Sequence, residues 1–222
     1  HKKGEIEKRR IKRRIKHRIE HLTNFLDEQH VRTFYPVDVR PYQDDSPSKE
    51  VVAHRISVLF HLLKGDPAVI IAPFSATLSY VIAKEDLAAS ATKLSLDTDI
   101  DRDELALLLL HLGYTREALI DDVGQFSMRG SVIDIFSPGM EYPVRLDLFG
   151  DNITSIKTFN LNTQRSIKNI TASVVLPASE ILLDTHHMKN ARPALRRLKD
   201  SSTAYLISDI EQGIYTPGLE AY

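Results

Sequence analysis

The chain has 222 residues, with 29 Lys+Arg against 30 Asp+Glu and a formal net charge of −1. Its 42% hydrophobic and 27% charged content is that of a folded globular chain, which excludes a disordered or collagen-like one. Cysteine is absent, which excludes disulfides, thiolate nucleophiles and Cys-ligated metals, and no apolar run approaches the roughly 18–20 residues a membrane span needs. A reducing, cytoplasmic setting is the expectation.

The near-neutral total hides a split. Residues 1–20 hold ten Lys/Arg and three Glu, a local charge of +7, and the other 202 residues carry −8. Ile6, Ile11, Ile15, Ile19, Leu22 and Leu26 recur at three to five residues, which predicts an amphipathic helix over this basic head. Such a face is either simply solvated or engages nucleic-acid phosphates through Lys8, Arg9, Arg10, Lys12, Arg13 and Arg14. Val31 to Pro36 reads as a short strand. After a turn-rich stretch, Ser46 as cap and Pro47 at the first position predict a helix through Val51, Ile56, Leu59, Phe60 and Leu63, stopped by Gly65. The apolar run Ala68–Ala72 predicts a strand buried on both faces, and Thr77 to Ile82 a helix. Residues 1–87 thus read as strand–helix alternation in an open α/β sheet.

From about residue 88 the texture changes. Lys93–Leu96 alternates, a helix follows over Arg102–Leu112, and Gly113 ends it. Gln125–Arg129, Ser131–Phe136, Val144–Phe149, Ile153–Phe159 and Ile170–Leu176 then read as strands of a mostly antiparallel sheet, separated by Pro-Gly and Gly-Asp turns. Beyond Pro177 helical signals return over Ala191–Leu198, and Tyr205–Ser208 reads as another buried strand. The pattern is an α/β domain, residues 1–87 and 177–222, with a small strand-rich α/β domain, 88–176, inserted in it.

Catalytic patterns are lacking. There is no Gly-Lys pair and hence no phosphate-cradling Gly-x-x-x-x-Gly-Lys-Ser/Thr loop, and no Gly-x-Ser-x-Gly elbow. His186-His187 are adjacent, so their side chains diverge, and Asp44-Asp45 and Asp121-Asp122 lie in turn-like contexts suited to capping. The positive signal is on a strand. In Pro143-Val-Arg-Leu-Asp-Leu-Phe149, alternation puts Val144, Leu146 and Leu148 on the core face and Arg145, Asp147 and Phe149 on the other. An aromatic beside an arginine on an exposed strand has the composition of an interface anchor, unless Phe149 covers a neighbouring element. Arg129 joins the patch if its strand pairs antiparallel. Both arginines and Phe149 are expected to be dispensable for folding.

The segments Gly113-Tyr-Thr-Arg116, Gly124-Gln-Phe-Ser-Met-Arg-Gly130, Val132-Ile-Asp-Ile-Phe136, Pro143–Ile153 and Thr163-Gln-Arg-Ser166 resemble the UvrB-homology module of the bacterial transcription-repair coupling factors (Mfd). Pro41-Tyr42, Arg55, Pro177-Ala178, Glu180 and the terminal Pro217–Tyr222 fit the flanks of that module. The resemblance implies a degenerate helicase-like, P-loop-type domain without working nucleotide motifs, whose inserted domain binds UvrA, the damage-recognition ATPase. It maps the UvrA contacts onto Arg129, Arg145 and Phe149. It implies an N-terminal, non-catalytic adaptor fragment with no cofactor of its own. ATP and magnesium, RNA polymerase and double-stranded DNA would be engaged by the downstream translocase and other parts of the full-length protein. The family normally opens with a nucleotide-binding half-domain, whereas this chain opens with the basic helix. Two alternatives remain at this point: a fragment of a UvrB-type damage-loading helicase subunit, and a basic-helix DNA-binding module.

Overall fold

The computed structural model describes residues 30–37 and 46–182, together with Arg13 and Ser208. These form a mixed α/β structure. Strand β1 (Val31–Thr33) leads to helix α1 (Lys49–Leu63), and β2 (Val69–Ile71) returns parallel to β1, with Val31 opposite Val69 and Thr33 opposite Ile71. The helix is capped by Ser48, whose hydroxyl accepts from Val51 N, two residues later than the expected cap at Ser46. A 3-10 turn over Phe74–Leu78 and helix α2 (Lys84–Ser90) replace the helix expected over Thr77–Ile82. Strand β2 is half-exposed, because it belongs to a sheet of only two strands and not to the interior of a wide one.

Strand β3 (Thr92–Ser95) follows, then helix α3 (Arg102–His111), whose N-terminal amides of Asp103 and Glu104 both donate to the Asp101 side chain at 2.8 and 2.9 Å. Six strands then build one sheet in chain order: β4 (Thr115–Arg116), β5 (Gln125–Arg129), β6 (Val132–Phe136), β7 (Val144–Phe149), β8 (Asn152–Phe159) and β9 (Ser166–Ile170). The β4–β5 pair is parallel and all later pairs are antiparallel. The stretch expected as one strand over Ile170–Leu176 is divided: β9 ends at Ile170, and β10 (Ala172–Val175) crosses to pair antiparallel with β3.

Alternation assigns the two faces of the large sheet. Phe126, Ile133, Ile135, Val144, Leu146, Ile153 and Ile156 are buried on one face and pack with Leu105, Leu109 and Leu112 of and after α3. Ile56 of α1, Ile82 and Leu87 belong to the same core, so α1 and the sheet share one apolar interior. Gly113, at φ +86°, takes a conformation that L side chains rarely adopt, and a Cβ there would lie 2.5 Å from Ser179 Cβ. Chain reversal and close approach both demand glycine at this position. Just beyond it the buried Tyr114 hydroxyl donates to Leu176 O at 2.6 Å, and burial raises its pKa against a weaker opposing hydrogen bond with Ser137.

Arg55 ties the flanks of the sheet domain together. Its side chain is fully buried, pairs with Glu180 at 3.0 Å, donates to Tyr35 O at 2.8 Å and Tyr80 O at 3.4 Å, and lies 4.4 Å from the centroid of the Phe34 ring. Burial raises the Glu180 pKa, opposed by its hydrogen bond and charge pairing with Arg55. Of the remaining expected elements, Ala191–Leu198 and Tyr205–Ile207 lie outside the described residues, and Ser208 is helical, not extended. No described helix is long and apolar enough to cross a membrane.

Candidate partner-binding site

The face of the sheet opposite the core is polar, and its register decides which side chains meet. Ser127 on β5 stands opposite Asp134 on β6, Asp134 opposite Arg145 on β7, and Arg145 opposite Lys157 on β8. One step along, Arg129, Val132, Asp147 and Ser155 form a parallel row. Arg129 and Arg145 therefore flank Asp134 from neighbouring strands, as antiparallel pairing of β5 requires.

Asp134 is 0% exposed and holds both arginines. Its Oδ1 accepts from Arg145 Nε at 2.6 Å, and its Oδ2 accepts from Arg145 Nη2 at 2.9 Å and from Arg129 Nη2 at 2.8 Å. Arg145 is held on three further sides: its Nη2 donates to Gln164 Oε1 at 3.1 Å, its Nη1 to Gln164 O at 3.4 Å, and its guanidinium carbon lies 4.4 Å from the centroid of the Phe159 ring. These contacts leave the Arg145 side chain 20% exposed. Its pKa is raised first by the hydrogen bond with Asp134, with the charges of Asp134 and Asp147 assisting and burial opposing. Arg129 is 48% exposed and shows one hydrogen bond, to Asp134, so most of its fork faces outward. Phe149 ends β7 opposite Asn152 and is 83% exposed. Lys157 and Asp147, both partly exposed, pair at 2.8 Å beside it.

A bidentate arginine–carboxylate pair is thus present within the molecule, Arg145 on Asp134. This corrects the expectation that Arg145 is dispensable for folding: it is the main counter-ion of a buried carboxylate. Phe149 does not cover a neighbouring element; it stands in solvent. Sequence reasoning missed Asp134, Phe159 and Gln164. Asp134 was findable as the lone charge in Val132-Ile-Asp-Ile-Phe136, since a carboxylate in a central strand needs a partner. Gln164 adopts φ +58°, which the Thr163-Gln-Arg sequence does not announce.

Of the basic head, Arg13 is helical and exposed, while Lys8, Arg9, Arg10, Lys12 and Arg14 lie outside the described residues, as do Asp44-Asp45 and His186-His187. The Asp121 and Asp122 amides donate to Gln125 Oε1, and Asp122 accepts from Val123 N, the turn role expected of them. No group of three or more potential metal ligands occurs among the described residues.

Residues 92–181, which contain this face, match the family model described as the UvrB interaction domain. The chain is 37% identical over 165 residues to the transcription-repair-coupling factor of Myxococcus xanthus, covering 73% of this chain and 14% of that protein. It is 33% identical to the Bacillus subtilis factor over 163 residues, again 73% and 14%, and 28% identical to the Haemophilus influenzae factor over 198 residues, 88% and 17%. The chain is thus related to the transcription-repair-coupling factors and spans about a seventh of the length of these relatives. The matched region begins at β3, and the Asp134–Arg145 clamp sits near its centre.

Proposed function

We propose that this chain is a non-catalytic adaptor that recruits UvrA in transcription-coupled nucleotide excision repair, through Arg129, Arg145 and Phe149. The observation that carries the reading is the exposure of Phe149 beside an arginine pair fixed on a buried carboxylate, within a domain matched to the UvrB interaction family. Phenylalanine supplies apolar area, and the outward fork of Arg129 supplies directional donors for a carboxylate on the partner. Arg145 stiffens the patch and adds charge beneath it.

The relatives' shared name supports a coupling factor over a UvrB-type loading subunit. On this reading residues 88–176 are the inserted domain, and the parallel β1–α1–β2 unit belongs to a degenerate helicase-like sheet completed by 177–222. RNA polymerase, double-stranded DNA, ATP and magnesium are engaged by the rest of the full-length cytoplasmic protein, and this fragment needs no cofactor. The basic head, Lys8 to Arg14, adds a phosphate-binding arm if its DNA affinity falls steeply with salt.

The test is calorimetric titration of UvrA with the chain and its variants. Phe149→Ala and Arg129→Ala are expected to weaken binding by about 2–4 kcal/mol, roughly 30- to 1000-fold, with unfolding temperatures near wild type. Normal UvrA affinity in both variants refutes the assignment.

A further inference from the structure

Away from the arginine face, a cleft of about 470 Å³ lies where β1 and α1 meet the turn after β6. That volume suits a ligand of nucleotide size and exceeds what a lone phosphate fills. Arg32 of β1, His61 of α1 and Lys64, the residue that caps α1, line it, and no carboxylate is among the lining residues. Pro138, Met140 and Phe60 are among its apolar lining residues.

The donors of this cleft are largely unspent. Arg32 shows a single long hydrogen bond, from Nη1 to Val31 O at 3.4 Å. Lys64 lies 4.7 Å from the centroid of the Phe60 ring, and no described carboxylate lies within ion-pair distance of it. His61 Nδ1 faces Asp66 Oδ2 at 3.5 Å, while its Nε2 is buried and has no hydrogen-bond partner among the described residues. With Nε2 out of reach of a water-sized atom and Nδ1 turned to Asp66, His61 belongs to the wall of the cleft and offers a ligand no donor. Two cations on one partly apolar cavity fit an anion attached to a flat, weakly polar body.

We propose that this cleft binds a phosphate-bearing ligand of nucleotide size, with its phosphate on Arg32 and Lys64 and its ring against Pro138 and Met140. The ligand is either a free mononucleotide or the phosphorylated end of a nucleic-acid strand. It is bound without a metal and without hydrolysis, which keeps the site distinct from a Gly-Lys phosphate loop.

The full chain is titrated calorimetrically with AMP, with a 5′-phosphorylated single-stranded oligonucleotide and with inorganic phosphate. AMP is expected to bind more tightly than phosphate, and Lys64→Ala and Arg32→Gln each to weaken it about tenfold, with melting temperatures near wild type. Phe149→Ala is expected to leave AMP binding intact. Tighter binding of the oligonucleotide than of AMP assigns the strand end as the ligand, and equal or weaker binding assigns the free nucleotide. Absence of binding by both AMP and the oligonucleotide at millimolar concentration overturns the proposal, as does unchanged affinity in both variants. If neither binds and Lys64→Ala merely melts earlier, the basic residues serve only the carbonyl end of α1, and the proposal fails.

Discussion

Arg145→Ala removes two of the three hydrogen bonds to Asp134 and the stacking on Phe159, leaving a fully buried carboxylate with Arg129 alone. Breaking a buried pair by deleting one partner costs about 3–5 kcal/mol, because the surviving charge stays desolvated. Arg129→Ala deletes a single bond from a side chain that is 48% exposed. Solvent discounts that loss to about 1 kcal/mol. At roughly 2–4 °C per kcal/mol for a domain of this size, Arg145→Ala should lower the unfolding midpoint by about 6–20 °C and Arg129→Ala by a few degrees.

A double substitution at the same pair separates charge from volume. Replacing both partners, Asp134→Leu with Arg145→Met, removes the stranded charge and restores apolar packing, so the double variant should be more stable than Arg145→Ala alone. Thermal and urea unfolding of wild type and the three variants measures this. Equal midpoints for Arg145→Ala and Arg129→Ala would refute the clamp as an energetic unit, and so would a double variant that unfolds earlier than Arg145→Ala.

On the opposite face, Leu146→Ala opens a cavity in a fully buried position and should cost about 2–5 kcal/mol by denaturant unfolding, without altering the side chains of the arginine face. Gly113→Ala meets both a positive φ and a 2.5 Å approach to Ser179 Cβ, so it should destabilise by more than the roughly 1–2 kcal/mol of left-handed strain alone. Glu180 has a folded pKa raised above the ordinary 4.5, so the folded state holds its proton more tightly than the unfolded chain. The contribution of this group is then fully present below about pH 4.5 and declines as pH rises through the folded pKa. The stability difference between wild type and Glu180→Gln, followed by melting from pH 4 to 8, should shrink or change sign in favour of the variant in that direction; a difference that grows with pH contradicts the burial argument.

Local chemistry made some of this molecule legible. Strands β5 to β8 follow from short alternating segments between Gly and Pro turns, and α3 from the helical run over Arg102–Leu112 ended by Gly113. The strand-exposed Phe149 follows from counting by two. What local pattern does not carry is pairing at a distance. The run from Ile170 to Val175 reads as one strand, yet it is shared between β9, at the edge of the large sheet, and β10, which pairs with β3 about 80 residues earlier in the chain. The apolar run at β2 looked doubly buried because apolar content reports a strand's hydrophobicity and not how many strands flank it. The 3-10 turn at Phe74–Leu78 likewise leaves Phe74, Leu78 and Tyr80 exposed, where a helix would have placed them by period.

The clamp links these two kinds of information, since Asp134 is placed by alternation but explained only by its neighbours across the sheet. An arginine on an unsupported strand carries about 2 kcal/mol of rotamer entropy, which a partner must overcome on binding. Here Asp134 has already fixed one end of the Arg129 guanidinium at 2.8 Å while leaving its other donors in water. The cost of ordering that side chain is moved from association to folding, where the shared core of α1, α3 and the sheet supplies the stability to bear it. Phe149 needs less help, having two side-chain torsions and little freedom to lose. Asp134→Asn, which keeps the shape but weakens the hold on both guanidiniums, should therefore weaken UvrA binding although residue 134 itself is buried and cannot touch the partner. The loss should appear mainly as a less favourable binding entropy in calorimetry. Unchanged affinity in a folded Asp134→Asn protein would show that Arg129 needs no such support.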